Sequence, residues 1–430
     1  MNRKVLSFAA LACAAVCAAS MAACGDGGKS KQLGKPVEFE DGQIENLAAF
    51  QWKADAFAAS FAAETYAAYH ETDNFTVSPI SVYSALALAA ECAAGETRTE
   101  ILSALGVTYE QLRANYSALY DSLNKTYETE GKVISTLSLG NSVWLDERLD
   151  HKQSCIEALS SYYQSDTYSA DFYNDNEAAN QAVRKFVKEQ TNGLIDKDFQ
   201  LSKETLFTLI NTLYLKTVWN TNGTDLKFTA DKYDFKNSDG TSSSVNLLQG
   251  KYCSGRVYKG KNFSSFYISA EGGYKIKFIL PKDGKTLAEV FTAENIAEAN
   301  AVIDYLYYNE KKNVAYETRC FFPEFKCKYD DDIQDVLKDK FGIKLLFDDV
   351  RCDFSAMTDT TASCEKVQHV TDLTVDKTGI EGAAVTLMEN VGTTCPPPTI
   401  YADFVLDRAF GFVITNKDNV TLFSGVVNKV

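Results

Sequence analysis

Residues 376–398 place the tightest constraint on how this 430-residue chain can fold. They read Asp376-Lys377-Thr378-Gly379-Ile380-Glu381-Gly382-Ala383-Ala384-Val385-Thr386-Leu387-Met388-Glu389-Asn390-Val391-Gly392-Thr393-Thr394-Cys395-Pro396-Pro397-Pro398. Three of the seven prolines in the chain stand together at the end of this stretch. Each fixes φ and removes a backbone donor, so neither a helix nor an interior strand runs through them. Ahead of them lies a long proline-free run of mostly small or β-compatible residues, and a structureless loop of that length is uncommon unless it has a function. The run also alternates. Ile380, Gly382, Ala384, Thr386 and Met388 share one face of an extended chain, and Glu381, Ala383, Val385, Leu387 and Glu389 share the other. The first face is uncharged and begins mostly small, so it suits entry into a buried sheet; the second carries both acids. On pattern alone a plain mobile loop between two strands stands beside that reading.

The N-terminus reads as an address. Arg3 and Lys4 precede an apolar stretch that ends in Met21-Ala22-Ala23-Cys24, the charged, greasy and small-residue order of a secretory leader. A cysteine directly after the small pair resembles a bacterial lipobox, which makes residues 1–23 a lipoprotein signal peptide and Cys24 the lipidated first residue of the mature chain. Ordinary secretion with cleavage nearby is the alternative. Residues 24–44 are polar and glycine-rich at the start and read as a flexible tether. The expected location is extracytoplasmic, at the cell surface or membrane-anchored, with lipid as the only membrane attachment.

The formal net charge of −15 argues against a nucleic-acid partner, which demands clustered Lys and Arg. No long apolar run follows the leader. The helical signs come early: residues 45–66 carry Leu47, Phe50, Ala54, Phe57 and Phe61 at three- and four-residue steps, 78–104 begin with a Ser78-Pro79 start, and 176–190 follow. Strand-like runs dominate later, at 206–215, 275–280, 367–375, 410–415 and 422–427. Helices first and strands after, with no regular βαβ rhythm, predict an α+β fold with mixed or antiparallel sheets.

Enzymatic chemistry finds no local support, so the chain is read as a non-enzyme. No Gly-x-Ser-x-Gly elbow or phosphate-cradling glycine loop is present. His70-Glu71 opens like a zinc-protease helix, but Asn74 stands where the second histidine belongs. The acids Asp330-Asp331-Asp332 read as solvated charge near a helix start. No Cys-x-x-Cys occurs, and no Cys/His spacing suits zinc; no metal and no cofactor is expected. The eight cysteines of the mature body leave both disulfides and isolated thiols open, with no connectivity deducible.

Taken in order, several segments resemble the serpin family across 45–430. Asn74-Phe75-Thr76-Val77-Ser78-Pro79-Ile80-Ser81, Ala94-Gly95-Glu96-Thr97-Arg98-Thr99-Glu100-Ile101, Asn141-Ser142-Val143-Trp144-Leu145 and Glu189-Gln190-Thr191-Asn192-Gly193-Leu194-Ile195 carry the first half. Ile210-Asn211-Thr212-Leu213-Tyr214-Leu215-Lys216-Thr217-Val218-Trp219, the glycine at 379, Asp407-Arg408-Ala409-Phe410 and Leu422-Phe423-Ser424-Gly425-Val426-Val427-Asn428 carry the second. The resemblance implies three β-sheets, eight or nine helices and an exposed reactive-centre loop at about 379–397. It implies a suicide-substrate inhibitor of serine proteases, a monomer, whose loop is cut at Thr393-Thr394 and inserts into the main sheet. The hinge of that loop would be Gly379, Ile380, Glu381, Gly382, Ala383 and Ala384. Ser78, Ser81, Asn211 and His369 would form a polar shutter beneath the sheet, with Trp219 at the upper entry point.

A small β-branched Thr393 after Val391 and Gly392 suits a shallow apolar pocket of the elastase type; subtilisin-like and cysteine proteases remain as alternatives. Ile380 stands where the family usually has a small hydroxyl residue, Gly382 replaces an alanine, and Lys216-Thr217 replaces Lys-Gly. These departures keep a non-inhibitory serpin-fold binding protein or protease substrate as the second reading. A lipoprotein solute-binding protein would need a two-lobed α/β pattern, which the sequence lacks.

Overall fold

The computed structural model describes residues 30–37, 47–69, 73–220, 226–250, 253–301, 308–309, 314–364, 367–381 and 399–430. The signal peptide, Cys24, the Thr393-Thr394 bond and the hinge residues Gly382, Ala383 and Ala384 lie outside the described residues.

Nine α-helices occur among the described residues: α1 (Leu47–Tyr69), α2 (Pro79–Cys92), α3 (Gly95–Leu105), α4 (Tyr109–Ser122), α5 (Gln153–Tyr162), α6 (Asn176–Gln190), α7 (Leu287–Val290), α8 (Ala293–Ala301) and α9 (Gln334–Phe341). The principal strands are β1 (Lys31–Gly34), β2 (Phe75–Val77), β3 (Lys125–Thr129), β4 (Lys132–Asp146), β5 (Asp166–Ala170), β6 (Phe207–Val218), β7 (Phe263–Ser269) and β8 (Lys275–Pro281). They continue with β9 (Val314–Phe322), β10 (Phe325–Asp332), β11 (Gln368–Val375), β12 (Gly379–Ile380), β13 (Thr399–Val405), β14 (Phe410–Thr415) and β15 (Thr421–Val427). They build three large sheets, so the α+β expectation holds.

The main sheet runs β1-β5-β4-β6-β12-β11-β10, with β3 added on β4. A second sheet is built around the antiparallel β7-β8-β14-β15-β2 run, and a third pairs β9 with β13 in parallel. The main core fills the space between the inner face of the main sheet, α1, α2 and the second sheet. Phe61, Tyr83, Leu86, Leu139, Phe278, Phe412 and Val426 are all essentially inaccessible there. The outer face has its own cluster, where Trp144, Phe172, Val183, Phe186, Val187 and Ile210 pack α6 onto β4 and β6.

Two expectations change. The helix read over 78–104 is two helices, because the chain breaks at Ala93-Ala94 and Gly95 adopts φ +52°, a left-handed conformation that suits glycine. The Ala94 N–H donates instead to the Asp353 carbonyl at 2.8 Å. The stretch 24–44 is also more than a tether. Lys31–Gly34 forms an edge strand antiparallel to β5, Gln32 donates to the Asp166 carboxylate at 2.7 Å, and the Val37 N–H reaches the Ser160 carbonyl. A polar segment need not bury a core to satisfy the open backbone groups of a sheet edge. Of the three acids, Asp332 caps the start of α9 through the Gln334 N–H at 2.9 Å, while Asp330 pairs with Lys197.

Candidate functional site: a parted sheet and its hinge

The strands β6 and β11 run parallel to one another in the centre of the main sheet, yet among the described residues no backbone pairing joins them directly. What stands between them is β12. Gly379 pairs with Val218 and Ile380 with Thr217, antiparallel to β6; on the other side Ile380 pairs with Val375, antiparallel to β11.

The sequence builds this hairpin locally. The Asp376 carboxylate accepts from the backbone N–H groups of Thr378 (2.7 Å) and Gly379 (3.2 Å) and from the Thr378 hydroxyl (2.6 Å), which closes a turn directly after β11. The Asp376 N–H donates to the Gly379 carbonyl at 3.0 Å, and the Glu381 N–H donates to the Thr374 carbonyl at 2.8 Å. Gly379 is there because nothing larger fits: a β-carbon at this position would lie 1.9 Å from the Thr217 carbonyl oxygen and 2.8 Å from the Val218 Cα. Ile380 is fully buried and packs into the main core, so the sheet accommodates its size at this position.

Glu381 is the last described residue of the loop and takes φ +69°. Its carboxyl meets the Tyr214 hydroxyl, and burial pushes its pKa up. Tyr214 is held from its other side by the Asn192 amide at 3.2 Å. Trp219 was expected at the entry point, and its indole Nε1 donates to the Asp376 carbonyl at 2.8 Å while its backbone N–H donates to the Thr378 carbonyl. It is also buried against Phe322. The position therefore combines core packing with a direct hold on the turn that feeds the hinge.

Beneath the sheet, the four shutter residues come together at the start of α2. The Ser78 N–H donates to His369 Nε2 at 3.1 Å, and the Ser81 hydroxyl bonds the Asn211 amide oxygen. Asn211 bonds onward to Asn141, its cross-strand partner on β4, and Asn141 donates to the Tyr116 hydroxyl (3.0 Å) and the Tyr163 carbonyl (2.8 Å). Thr371 adds a 2.6 Å bond from β11 to the Thr76 carbonyl.

Each strand flanking the seam is thus tied to α2 or to the segment leading into it, so a change in strand separation must break or re-form at least one of these bonds. Burial drives the pKa of His369 down to about 3, so the ring is neutral and its Nε2 is free to accept. Asn141, Tyr116 and Thr371 were missed as site residues. The pairing of Asn141 with Asn211 was readable only once the β4–β6 register was known. At the end of the seam away from the hinge lies an apolar cavity of about 50 Å³, lined by Val82 and Leu86 of α2, Thr208 and Ile210 of β6, and Val367 and Gln368 at the start of β11.

Among the described residues no group of three or more His, Cys, Asp or Glu side chains is placed to hold a metal ion. No helix of the described residues is long and apolar enough to cross a membrane.

Comparison with known proteins agrees with this architecture. Alpha-1-antiproteinase S of Cavia porcellus is 27% identical over 370 residues, covering 83% of this chain and 84% of that protein. Iripin-1 of Ixodes ricinus is 28% identical over 373 residues, with 83% and 89% covered. Among solved structures, the native state of the thermophilic serpin tengpin superposes with a TM-score of 0.73 at 22% identity, covering 94% of this chain and all of that one. Thyroxine-binding globulin in complex with thyroxine superposes with a TM-score of 0.69, also at 22% identity, with 89% and 99% covered. The model of the family described as "Serpin (serine protease inhibitor)" matches residues 53–430, and with a match of that extent the chain belongs to the serpin family.

Proposed function

We propose that this protein is an exported suicide-substrate inhibitor that traps a serine protease with a small apolar primary pocket. Membership of a family of protease inhibitors, not catalysts, suggests inhibition in general. The observation that carries the specific reading is β12, a strand begun from the loop side and seated between two central strands that, among the described residues, do not pair with each other.

In this account the protease serine attacks the Thr393 carbonyl, forms an acyl-enzyme and releases the amine of Thr394 with the rest of the chain. The stretch behind Gly379 then continues the hairpin that Asp376 has started. A central strand of that length gains roughly a dozen backbone hydrogen bonds at a net ~1 kcal/mol each, comparable to the ~5–15 kcal/mol stability of a whole domain. Drawn across the molecule, the protease loses active-site geometry. Loss of one oxyanion-hole donor slows chemistry ~100–1,000-fold, and the acyl-enzyme is stranded. The shutter bears on this sequence of events, because its bonds tie both flanking strands to α2 or its lead-in and must break or re-form when those strands part.

The small Thr393 favours an elastase-like target over one with a deep acidic pocket. Export and lipidation at Cys24 belong to the same proposal and rest on the leader sequence. Incubation with elastase-class, trypsin-class and subtilisin-class enzymes, followed by a denaturing gel, tests the reading. A band at the summed mass with the elastase class supports it; a cleaved chain and a fully active protease would refute trapping.

A further inference from the structure

The described residues include the buried cysteines Cys92, Cys155, Cys320 and Cys327 and the half-buried Cys352 and Cys364. Sequence spacing offered no way to pair them, but the fold brings Cys92 and Cys155 together. Cys92 is the last residue of α2 and Cys155 lies in the first turn of α5, 63 positions later. Both side chains are buried, and their sulfurs are 4.0 Å apart, the separation of two thiols in van der Waals contact. Side-chain rotation with a small helix adjustment brings them to bonding distance, about 2.05 Å. A thiolate at Cys92 is disfavoured by the contact with the Cys155 sulfur and by burial, which push its pKa well up.

We propose that Cys92 and Cys155 are a disulfide site, closed when the chain folds in an oxidising compartment; the compartment rests on the export reading above. The oxidant is a low-molecular-weight disulfide of the glutathione type. One cysteine, as its thiolate, attacks a sulfur of that disulfide and expels one thiolate, and the second cysteine then attacks the protein sulfur of the mixed disulfide and expels the other. Two protein thiols become one disulfide, two hydrogens leave the protein, and the small disulfide is reduced to two thiols.

The bond ties together elements that otherwise meet only through packing. α2 holds both strands that flank the seam, Asn211 of β6 through Ser81 and His369 of β11 through Ser78. α5 carries the outer edge of the same sheet, with Ile156 and Ser160 against Gly34 of β1. Cross-linking them fixes the outer strands relative to the helix beneath the seam, in the arrangement that holds the hinge seated.

The test uses the mature chain folded in a glutathione redox buffer, alkylated under denaturing conditions and digested with trypsin without reduction. The cut sites place Cys92 in a peptide of residues 54–98 and Cys155 in one of residues 153–184, each with a single cysteine. The expected result is those two peptides joined, lighter by two hydrogens than their sum, together with a melting temperature higher than that of the reduced protein by on the order of 5 °C. Cys92→Ala and Cys155→Ala each abolish that redox-dependent shift. Full alkylation of both cysteines, or a link from either to another cysteine, overturns the assignment. Peptide mapping on the unsubstituted chain keeps the test valid if a variant fails to fold.

Discussion

Replacing Gly379 with alanine should unseat the hinge while leaving the rest of the molecule folded. The added β-carbon meets main-chain atoms, the Thr217 carbonyl oxygen at 1.9 Å and the Val218 Cα at 2.8 Å, so no side-chain rotation relieves the clash. Leaving the sheet costs the bonds Trp219 N–H to Thr378, Asp376 N–H to Gly379 and Glu381 N–H to Thr374, about 3 kcal/mol at a net ~1 kcal/mol each. It also exposes Ile380, fully buried now, for about 2–3 kcal/mol more. Against this stands the backbone entropy regained by two freed residues, about 2–4 kcal/mol. The net preference for the seated hinge is therefore about 1–4 kcal/mol, centred near 2.5 kcal/mol.

Losing it should shift the partition of the acyl-enzyme from trapping towards hydrolysis by roughly 30–100-fold, at about 1.4 kcal/mol per factor of ten. The assay titrates a fixed amount of protease with parent and Gly379→Ala protein and compares the covalent band with the cleaved band. The variant should keep its far-UV spectrum and melt within a few degrees of the parent, yet yield mainly cleaved chain. An undiminished covalent band would refute the claim that insertion starts from the seated Gly379–Ile380 pair.

Three further outcomes follow from other parts of the molecule. The His369 pKa, about 3 in the folded protein against an ordinary 6.5, means that the unfolded chain binds the extra proton between those values. Stability present above pH 6.5 is therefore lost as the pH falls towards 3, by up to ~1.4 kcal/mol per unit. Asp55 and Asp166, both raised to about 6 by burial, act in the opposite sense and lose stability as the pH rises through 6. Urea titrations of parent and His369→Gln at pH 7.5 and 4.5 isolate the histidine: the variant should lose up to about 3 kcal/mol less on acidification, and equal losses would contradict the burial argument.

Gly34→Val should detach β1, since its β-carbon alone comes within 2.6 Å of Ile156 Cγ2 and 2.9 Å of the Ser160 hydroxyl. Amide protection across the β1–β5 ladder should disappear, with about 1–2 kcal/mol of stability; retained protection would show that the edge adapts. Ala384→Arg places a charge on the row of loop residues that shares a face with Ile380, so it should convert inhibitor into substrate. A full yield of complex would show that the faces are assigned the wrong way round.

Much of the site was legible because its residues sit in segments with strong local character. Pro79 in the first turn declares a helix start, and Ile210-Asn211 belongs to a long strand-forming run, so α2 and β6 follow from the fixed φ of proline and β-propensity, although the Ser78 hydroxyl makes no capping bond. The alternation after Gly379 assigned an uncharged face to the loop, and Ile380, the one residue of that face that is described, is buried. What the sequence hid depends on register and tertiary approach. Asn141 becomes part of the shutter only because β4 lies antiparallel to β6 with Asn141 opposite Asn211. The edge strand β1 carries little apolar pattern, with Leu33 alone packed against the core, because its hold comes mainly from the backbone of β5 and the Asp166 carboxylate. The break before α3 turns on the left-handed Gly95 and a carbonyl of Asp353, more than 250 positions away. Cys92 and Cys155 meet through the packing of two helices, which no spacing rule encodes.

The account as a whole requires that an intact main sheet be short of one strand. Thermal melting of the chain before and after a single cut in residues 390–395, with both pieces retained, measures that directly. The cut frees the stretch behind Gly379 to complete the sheet, so the nicked protein should melt on the order of 15 °C above the intact one, as about 12 kcal/mol from a dozen added backbone bonds implies for a chain of this length. A nicked protein that melts at the same temperature as the intact chain, or below it, would contradict the account.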